Sequence, residues 1–493
     1  MILKHVEKMY KFLLIISISL AQAFVYAERL HDNVKIVTDV YNVVSSVSKT
    51  DETPNIKSKS SDILLASNSS VCNASTKSEE DQKNEEKNID NTKEKNTKGL
   101  NFNFSALANF ELGFRGLTNK ASDKKNVSAR HERFALFNQV GVLLDISNKV
   151  NDIKYGAHIS LLTAGKRSGS ATFNGSHIFF ETPYGKLELG APFDASDKMT
   201  LEACSIAAAA PNSWSRYAYV PKDRGLDIGF LTSCENFLGS RLRASLNNSN
   251  TSEPSRKISY YTPEFEPFSE NTKIQLGISY IPDSTNTGSD SSSKVSSKVN
   301  KHKNDLDQMI VEIDQNVKDS VSAALSVEHH INNNVGVKLV LSGEVGKSSG
   351  YAIDEKNNPK VKHPLKNLAA YNIGGVLTYG NFKYALSYGA LGNSLTSDKV
   401  HKIKANAKTY SAGTAYSQGP FKVSITYYGS VQFKNRVNQL SIGSDYKLVP
   451  GFVPYIQITG YNMKGNSEFL DSSNKQTVKS SGMVALIGAK LRL

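Results

Sequence analysis

Three places in the sequence carry residue types that could do chemistry. Gly346-Lys347-Ser348-Ser349-Gly350 matches the G-x-S-x-G pattern of a nucleophilic serine. That pattern works where a strand feeds a sharp turn into a helix, so that the hydroxyl stands clear. Here it opens a polar stretch with no helix signal after it, and the match reads as chance. His329-His330 is an adjacent pair. Neighbours on a strand point to opposite faces, so the two rings make a poor chelate. The cysteines Cys72, Cys204 and Cys234 have no metal-ligand spacing. Cys204 and Cys234 are candidates for a disulfide in an oxidising compartment, and two unpaired thiols fit the sequence equally well. There is no H-E-x-x-H and no complete glycine-rich phosphate loop. The expectation is no enzyme, no metal and no cofactor.

The elements that position the remaining polar residues have a period of two. In Asn101–Arg115, Phe102, Phe104, Ala106, Ala108, Phe110, Leu112 and Phe114 alternate with Asn103, Ser105, Asn109, Glu111, Gly113 and Arg115, and only Leu107 breaks phase. Side chains alternate faces along a strand, so one face is apolar and the other polar. A helix would mix the two sets. The same alternation recurs at 134–147, 153–161, 273–280, 382–388, 421–427 and 483–493. Strands of about 9–11 residues match a bilayer, whereas soluble sandwiches favour about 5–6. Tyr gathers near strand ends, at Tyr379, Tyr388, Tyr427, Tyr428, Tyr446, Tyr455 and Tyr461, as in an interfacial girdle. Tight turns at Asn333-Asn334, Gly380-Asn381 and Gln418–Pro420 alternate with long polar segments at Pro282–Asp305, Lys347–Lys366 and Lys464–Lys479. Short turns on one side and long loops on the other are the habit of outer-membrane barrels, and the pattern predicts about sixteen strands.

Composition agrees. Only 39% of the 493 residues are hydrophobic, too few for a helical membrane protein, while Tyr (22), Phe (21) and Gly (33) suit strands and turns. The net charge of +13 is spread through loops and turns, not clustered with aromatics on one element, which argues against nucleic acid. It suits lipopolysaccharide phosphates or anions in a pore. At the N-terminus, Lys4, Lys8 and Lys11 precede the apolar run Phe12–Leu20, and Val25-Tyr26-Ala27 fits a cleavage site, with Ala21-Gln22-Ala23 as the runner-up. Residues 1–27 therefore read as a secretory signal peptide. Residues 28–99 read as a disordered polar leader, because Ser69–Lys98 has no aromatic residue and too little apolar surface to offset ordering. Val34–Val47 is the leader's one candidate for local structure. The barrel domain is expected over 100–493.

Five stretches carry a resemblance: Gly185-Lys-Leu-Glu-Leu-Gly190, Lys257-Ile-Ser-Tyr-Tyr-Thr-Pro263, Ser411-Ala-Gly-Thr-Ala-Tyr416, Ser441-Ile-Gly-Ser-Asp-Tyr446 and Pro450-Gly-Phe-Val-Pro454. In order and spacing they resemble the general porins of Gram-negative bacteria, in their alphaproteobacterial form. The resemblance implies an all-β transmembrane antiparallel barrel in the bacterial outer membrane, usually trimeric, with the third external loop folded inward. It also implies a terminal Phe, where this chain has Leu493 after an intact alternating strand.

On that reading the inward loop begins after Leu189-Gly190, and the Ala-rich stretch Ala191–Asn212 brings the acids Asp194, Asp197 and Glu202. The opposing basic wall is Arg115, Lys154, Lys186 and Lys257. Acids facing bases across a narrow lumen set a transverse field and an ion preference. Lys273, Lys383 and Lys422 share the polar phase, and such a wall alone favours anions. Trp214 is expected to pack the loop against the wall. The implied function is passive diffusion of small hydrophilic solutes and ions. The competing reading is a surface antigen or adhesin that uses the barrel as a scaffold for its loops.

Overall fold

A computed structural model describes residues 100–117, 133–164, 172–218, 222–223, 226–227, 255–266, 271–284, 299–303, 309–314, 316–354, 361–466, 468 and 477–493. The expected signal peptide and leader, Val34–Val47, Cys72 and Cys234 lie outside these residues.

Sixteen strands close into one antiparallel barrel. They are β1 (Asn101–Leu117), β2 (Phe134–Val150), β3 (Ile153–Ala164), β4 (Thr172–Thr182), β5 (Gly185–Ala191) and β6 (Lys257–Tyr261). There follow β7 (Thr272–Asp283), β8 (Val317–Asn332), β9 (Val335–Ser348), β10 (Leu368–Tyr379) and β11 (Phe382–Gly392). The last five are β12 (Ala407–Gln418), β13 (Phe421–Gln432), β14 (Asn435–Tyr446), β15 (Phe452–Gly465) and β16 (Val478–Arg492). Each strand pairs with its neighbour in sequence, and β1 pairs with β16 from Leu107↔Arg492 to Leu117↔Gly482 to close the wall. Most strands exceed bilayer length, and only β5 and β6, of 7 and 5 residues, fall short.

The burial pattern is that of a water-soluble core turned inside out. Phe102, Leu136, Leu339, Ile373 and Ile442 each expose more than half their surface, while Ser259, Ser279, Ser322 and Thr459 are fully buried. A continuous apolar exterior of this kind has lipid, not water, as its solvent. Outward aromatics form two belts. One contains Tyr371 and Tyr388 (ring centroids 6.3 Å apart) and Tyr410 and Tyr427 (6.0 Å). The other, at the short-turn end, contains Phe382 against Tyr416 (4.8 Å).

The long loops are more ordered than their polar composition suggests. Val299–Lys303, Met309–Asp314, Tyr351–Asp354 and Lys362–Pro364 form a separate four-stranded sheet. Ile313, Ala352, Leu365, Val400, Ala405 and Phe433 make its apolar core. These residues come from four different connections, so no single segment shows the alternation that marks a strand in sequence.

Candidate functional site

The connection that leaves β5 turns onto the inner face of the barrel and follows the wall from strand to strand. A helix α1 (Ala195–Met199) comes first, then two short 3-10 turns at Ala203–Ile206 and Ser213–Arg216. The sequence explains how an irregular chain can lie there. A buried backbone N–H must find a partner, and the inner phase of the wall offers one on strand after strand. Ala195 N–H donates to Ser279 Oγ on β7 (2.9 Å), and Ser196 N–H to Ser322 Oγ on β8 (2.9 Å). Thr200 Oγ1 meets Ser342 Oγ on β9 (2.6 Å). Ala203 N–H donates to Ser411 Oγ on β12 (2.9 Å). Three consecutive residues then meet three consecutive strands: Ala208 N–H reaches Ser424 Oγ (2.7 Å), Ala209 N–H reaches Asp445 Oδ2 (3.0 Å), and Ala210 N–H reaches Gln457 Oε1 (3.0 Å).

Wall side chains hold the loop's carbonyls in return. Lys257 Nζ donates to Pro192 O (2.7 Å), Lys422 Nζ to Ala207 O (3.1 Å), Gln439 Nε2 to Pro211 O (2.9 Å) and Lys490 Nζ to Ala209 O (2.6 Å). The run of alanines keeps the loop thin enough for these bonds, and wall glycines leave it room. A Cβ on Gly374 would stand 2.0 Å from Leu201 O, and one on Gly443 would stand 3.0 Å from Ala208 O. At the far end Trp214 is fully buried and stacks on Tyr461 at 5.1 Å, packing the loop to β15.

The three loop acids have different surroundings. Asp194 is buried and caps α1: its Oδ1 accepts from Asp197 N–H (3.0 Å) and from Ser322 Oγ (2.9 Å). Ser196 Oγ lies 2.8 Å from both Asp194 Oδ1 and Glu344 Oε1. Glu202 is buried too, caps the first 3-10 turn in a reciprocal bond with Ser205, and accepts from Asn372 Nδ2 at 3.5 Å. Asp197 alone is half-buried.

The four bases do not make one opposing wall. Lys154 and Lys186 stand near the short-turn end, in register on either side of Glu181. Arg115 lies toward the other end of β1, beside Val484. Lys257 opens β6 and is buried as the anchor of Pro192, so it cannot face the loop from across the lumen. The sequence reading treated inner-phase charges as one set because alternation gives the face of a residue but not its height.

Sequence reasoning missed two clasps with the opposite arrangement of sign. Lys198 of α1 is ion-paired with Glu188 of β5, which is also 3.0 Å from Lys186 Nζ. Arg216 Nη1 lies 3.7 Å from Oε1 of the fully buried Glu111, whose Oε2 accepts from Tyr455 Oη at 2.8 Å. Both wall acids were visible as charges on the polar phase of their strands. Cys204 is buried and disulfide-bonded, and its partner lies outside the described residues. Among the described residues no group of three or more His, Cys, Asp and Glu side chains could hold a metal.

The profile of the Gram-negative porin family matches residues 66–466. An uncharacterized protein of Rickettsia bellii (strain RML369-C) is 35% identical over 408 residues, covering 78% of this chain and 90% of that protein. One of Rickettsia prowazekii (strain Madrid E) is 33% identical over 407 residues with the same coverage. Among solved structures, the anion-selective porin from Comamonas acidovorans aligns with a TM-score of 0.48 at 12% identity, over 80% of this chain and 100% of that one. In-vitro folded OmpT of Vibrio cholerae, in trimer form, aligns with a TM-score of 0.45 at 13% identity and the same coverage. With the family profile matched over most of its length, this chain belongs to the Gram-negative porin family.

Proposed function

We propose that the barrel is a water-filled outer-membrane channel through which small hydrophilic solutes and ions diffuse passively. The observation that carries this reading is the circumferential path of the loop. Bonded to the wall strands in turn, it narrows the interior without crossing it. Near the short turns, the inner phase carries Lys154, Lys186, Lys273, Lys338, Lys383 and Lys422 against Asp145, Glu181, Glu328 and Asp445, an excess that favours anions at that end. Cleavage after Ala27 delivers the chain, residues 28–99 form a polar leader, Cys204 pairs with Cys234, and the barrels assemble as homotrimers in contact with outer-membrane lipid and lipopolysaccharide. Composition supports the first two, the oxidising compartment the third, and family membership the last.

A second reading, a surface antigen or adhesin, draws on the ordered sheet and apolar core of the long loops. Planar-bilayer recording separates the two. A channel gives ohmic single-channel steps with an anion-directed reversal potential in a salt gradient. A folded barrel that gives no steps leaves only the scaffold reading.

A further inference from the structure

On the lipid-facing side of β14, β15 and β16, at the long-loop end, three cations stand side by side. Arg436 is in register with Lys464, and Lys464 with Lys479. All three are exposed, while Val437, Met463 and Ser480, next to them in sequence, are buried on the inner side. Like charges directly opposite on neighbouring strands repel one another. Among the described residues no carboxylate pairs with any of the three. An array with this unfavourable self-energy is relieved by an anion, and the outward direction of the side chains fixes where that anion is.

The rungs below specify more than a charge. The next outward rung toward the bilayer centre is Asn438↔Asn462↔Ser481, neutral and polar, with Asn438 Oδ1 accepting from Tyr427 Oη of the aromatic belt (2.9 Å). Below it comes Leu440↔Gly460↔Met483. A Cβ at Gly460 would meet nothing within 4 Å, so the glycine leaves a shallow slot between two apolar side chains. Ile442↔Ile458↔Ala485 continues it as apolar wall. Read from the rim inward the order is cationic, polar, grooved and apolar. That is the order of a phosphate, a glycerol or sugar linkage, and an acyl chain.

We infer that Arg436, Lys464 and Lys479 form a binding site for the phosphate of an anionic lipid, whose linkage region lies on Asn438, Asn462 and Ser481 and whose chain enters the slot at Gly460. The guanidinium of Arg436 can grip phosphate oxygens with two donors, and the two ammonium groups add point charges. The site rests on the outer phase being in lipid, but not on the barrel conducting.

The test is native mass spectrometry of the full-length protein in detergent, titrated with phosphatidic acid or with diacylglycerol of the same chains. Replacing all three residues (Arg436→Gln, Lys464→Gln, Lys479→Gln) is expected to weaken phosphatidic acid binding on the order of tenfold or more, since each basic residue at a membrane surface contributes appreciably. Diacylglycerol binding should stay weak and unchanged. A matched triple variant of exposed loop-end lysines, Lys347→Gln, Lys399→Gln and Lys404→Gln, should bind like the parent. Inorganic phosphate at the lipid's concentration should not displace the lipid. Equal loss in the matched variant, no loss in the rung variant, or displacement by free phosphate overturns the proposal. If the triple variant does not fold, Lys464→Gln, the central position, should still lower affinity severalfold, and unchanged affinity there overturns the proposal too. Bilayer conductance of the folded variants should match the parent, which separates a lost lipid site from a lost channel.

Discussion

Lys198, carried inward by the loop, is ion-paired with Glu188 of the barrel wall, so the base is on the loop and the acid on the wall. Arg216 and Glu111 repeat that polarity at the loop's far end. Burial draws the Lys198 ammonium down from the usual lysine value, while Glu188 acts to hold it up. Two clasps of one polarity thus tether a segment whose middle is held by hydrogen bonds between its backbone and wall side chains, Lys422, Asp445 and Lys490 among them.

The first clasp is asymmetric. Glu188 has Lys186 as a second partner 3.0 Å away, whereas Lys198 is half-buried with Glu188 as its chief counter-charge. Glu188→Gln should therefore lower barrel stability by on the order of 3 kcal/mol, as expected when one partner of a buried pair is removed. Lys198→Met should cost only about 1 kcal/mol, because Glu188 keeps Lys186 and the methylenes keep their packing. Denaturation midpoints followed by heat-modifiable mobility on gels measure both. Equal losses, or a larger loss for Lys198→Met, would show that the pair does not tether the loop.

Gly374 lies directly beneath the carbonyl of Leu201. Gly374→Val puts two methyl groups where the loop now passes. The strand tolerates valine, so the expected result is a folded barrel, less stable by about 1–3 kcal/mol, with the loop lifted from β10. Single-channel recording should show a changed conductance and noisier open states. An unchanged trace from the variant would mean that this stretch does not border the conduction path.

Much of the barrel was legible in the sequence, because a two-sided strand writes its burial into alternation. Phe102, Phe104, Phe110 and Phe114 are outward in the structure, and Ser105, Asn109 and Glu111 inward. The role of Trp214 was legible for a similar reason: a large apolar ring in a polar interior must pack somewhere. The candidate site was less legible. Asp194 and Glu202 look alike in sequence to Asp197, and only the folded loop separates the two that are buried from the one that is half-buried. The loop sheet was missed because its core draws Ile313, Ala352, Val400 and Phe433 from separate connections.

Cys204 is disulfide-bonded in a segment held against the wall. Peptide mapping under non-reducing conditions should find Cys204 linked to Cys234. Cys234→Ser should then cost about 3–4 kcal/mol by the loop-entropy estimate, while Cys72→Ser should cost nothing. A Cys72–Cys204 peptide would overturn the assignment and tie the polar leader to the barrel interior.

The loop acids give the sharpest test of the channel. Asp194 spends its carboxylate on the N-terminus of α1 and on Ser322, within a buried cluster. Asp194→Asn keeps an oxygen for the cap but loses the charge, so it should cost about 1 kcal/mol in stability and leave ion preference nearly unaltered. Asp197 is half-buried in the first turn of the same helix, where a charge contributes little to folding but acts on passing ions. Asp197→Asn should shift the reversal potential in a salt gradient further toward anions, with stability almost unchanged. The shift should fade in concentrated salt, as the screening length falls to ~3 Å at 1 M. Asp194→Asn and Asp197→Asn differ by three positions in the same short loop, so general damage to the loop would affect both. A shift in selectivity from Asp194→Asn, with none from Asp197→Asn, would place the conduction path on the other side of the helix from that proposed here.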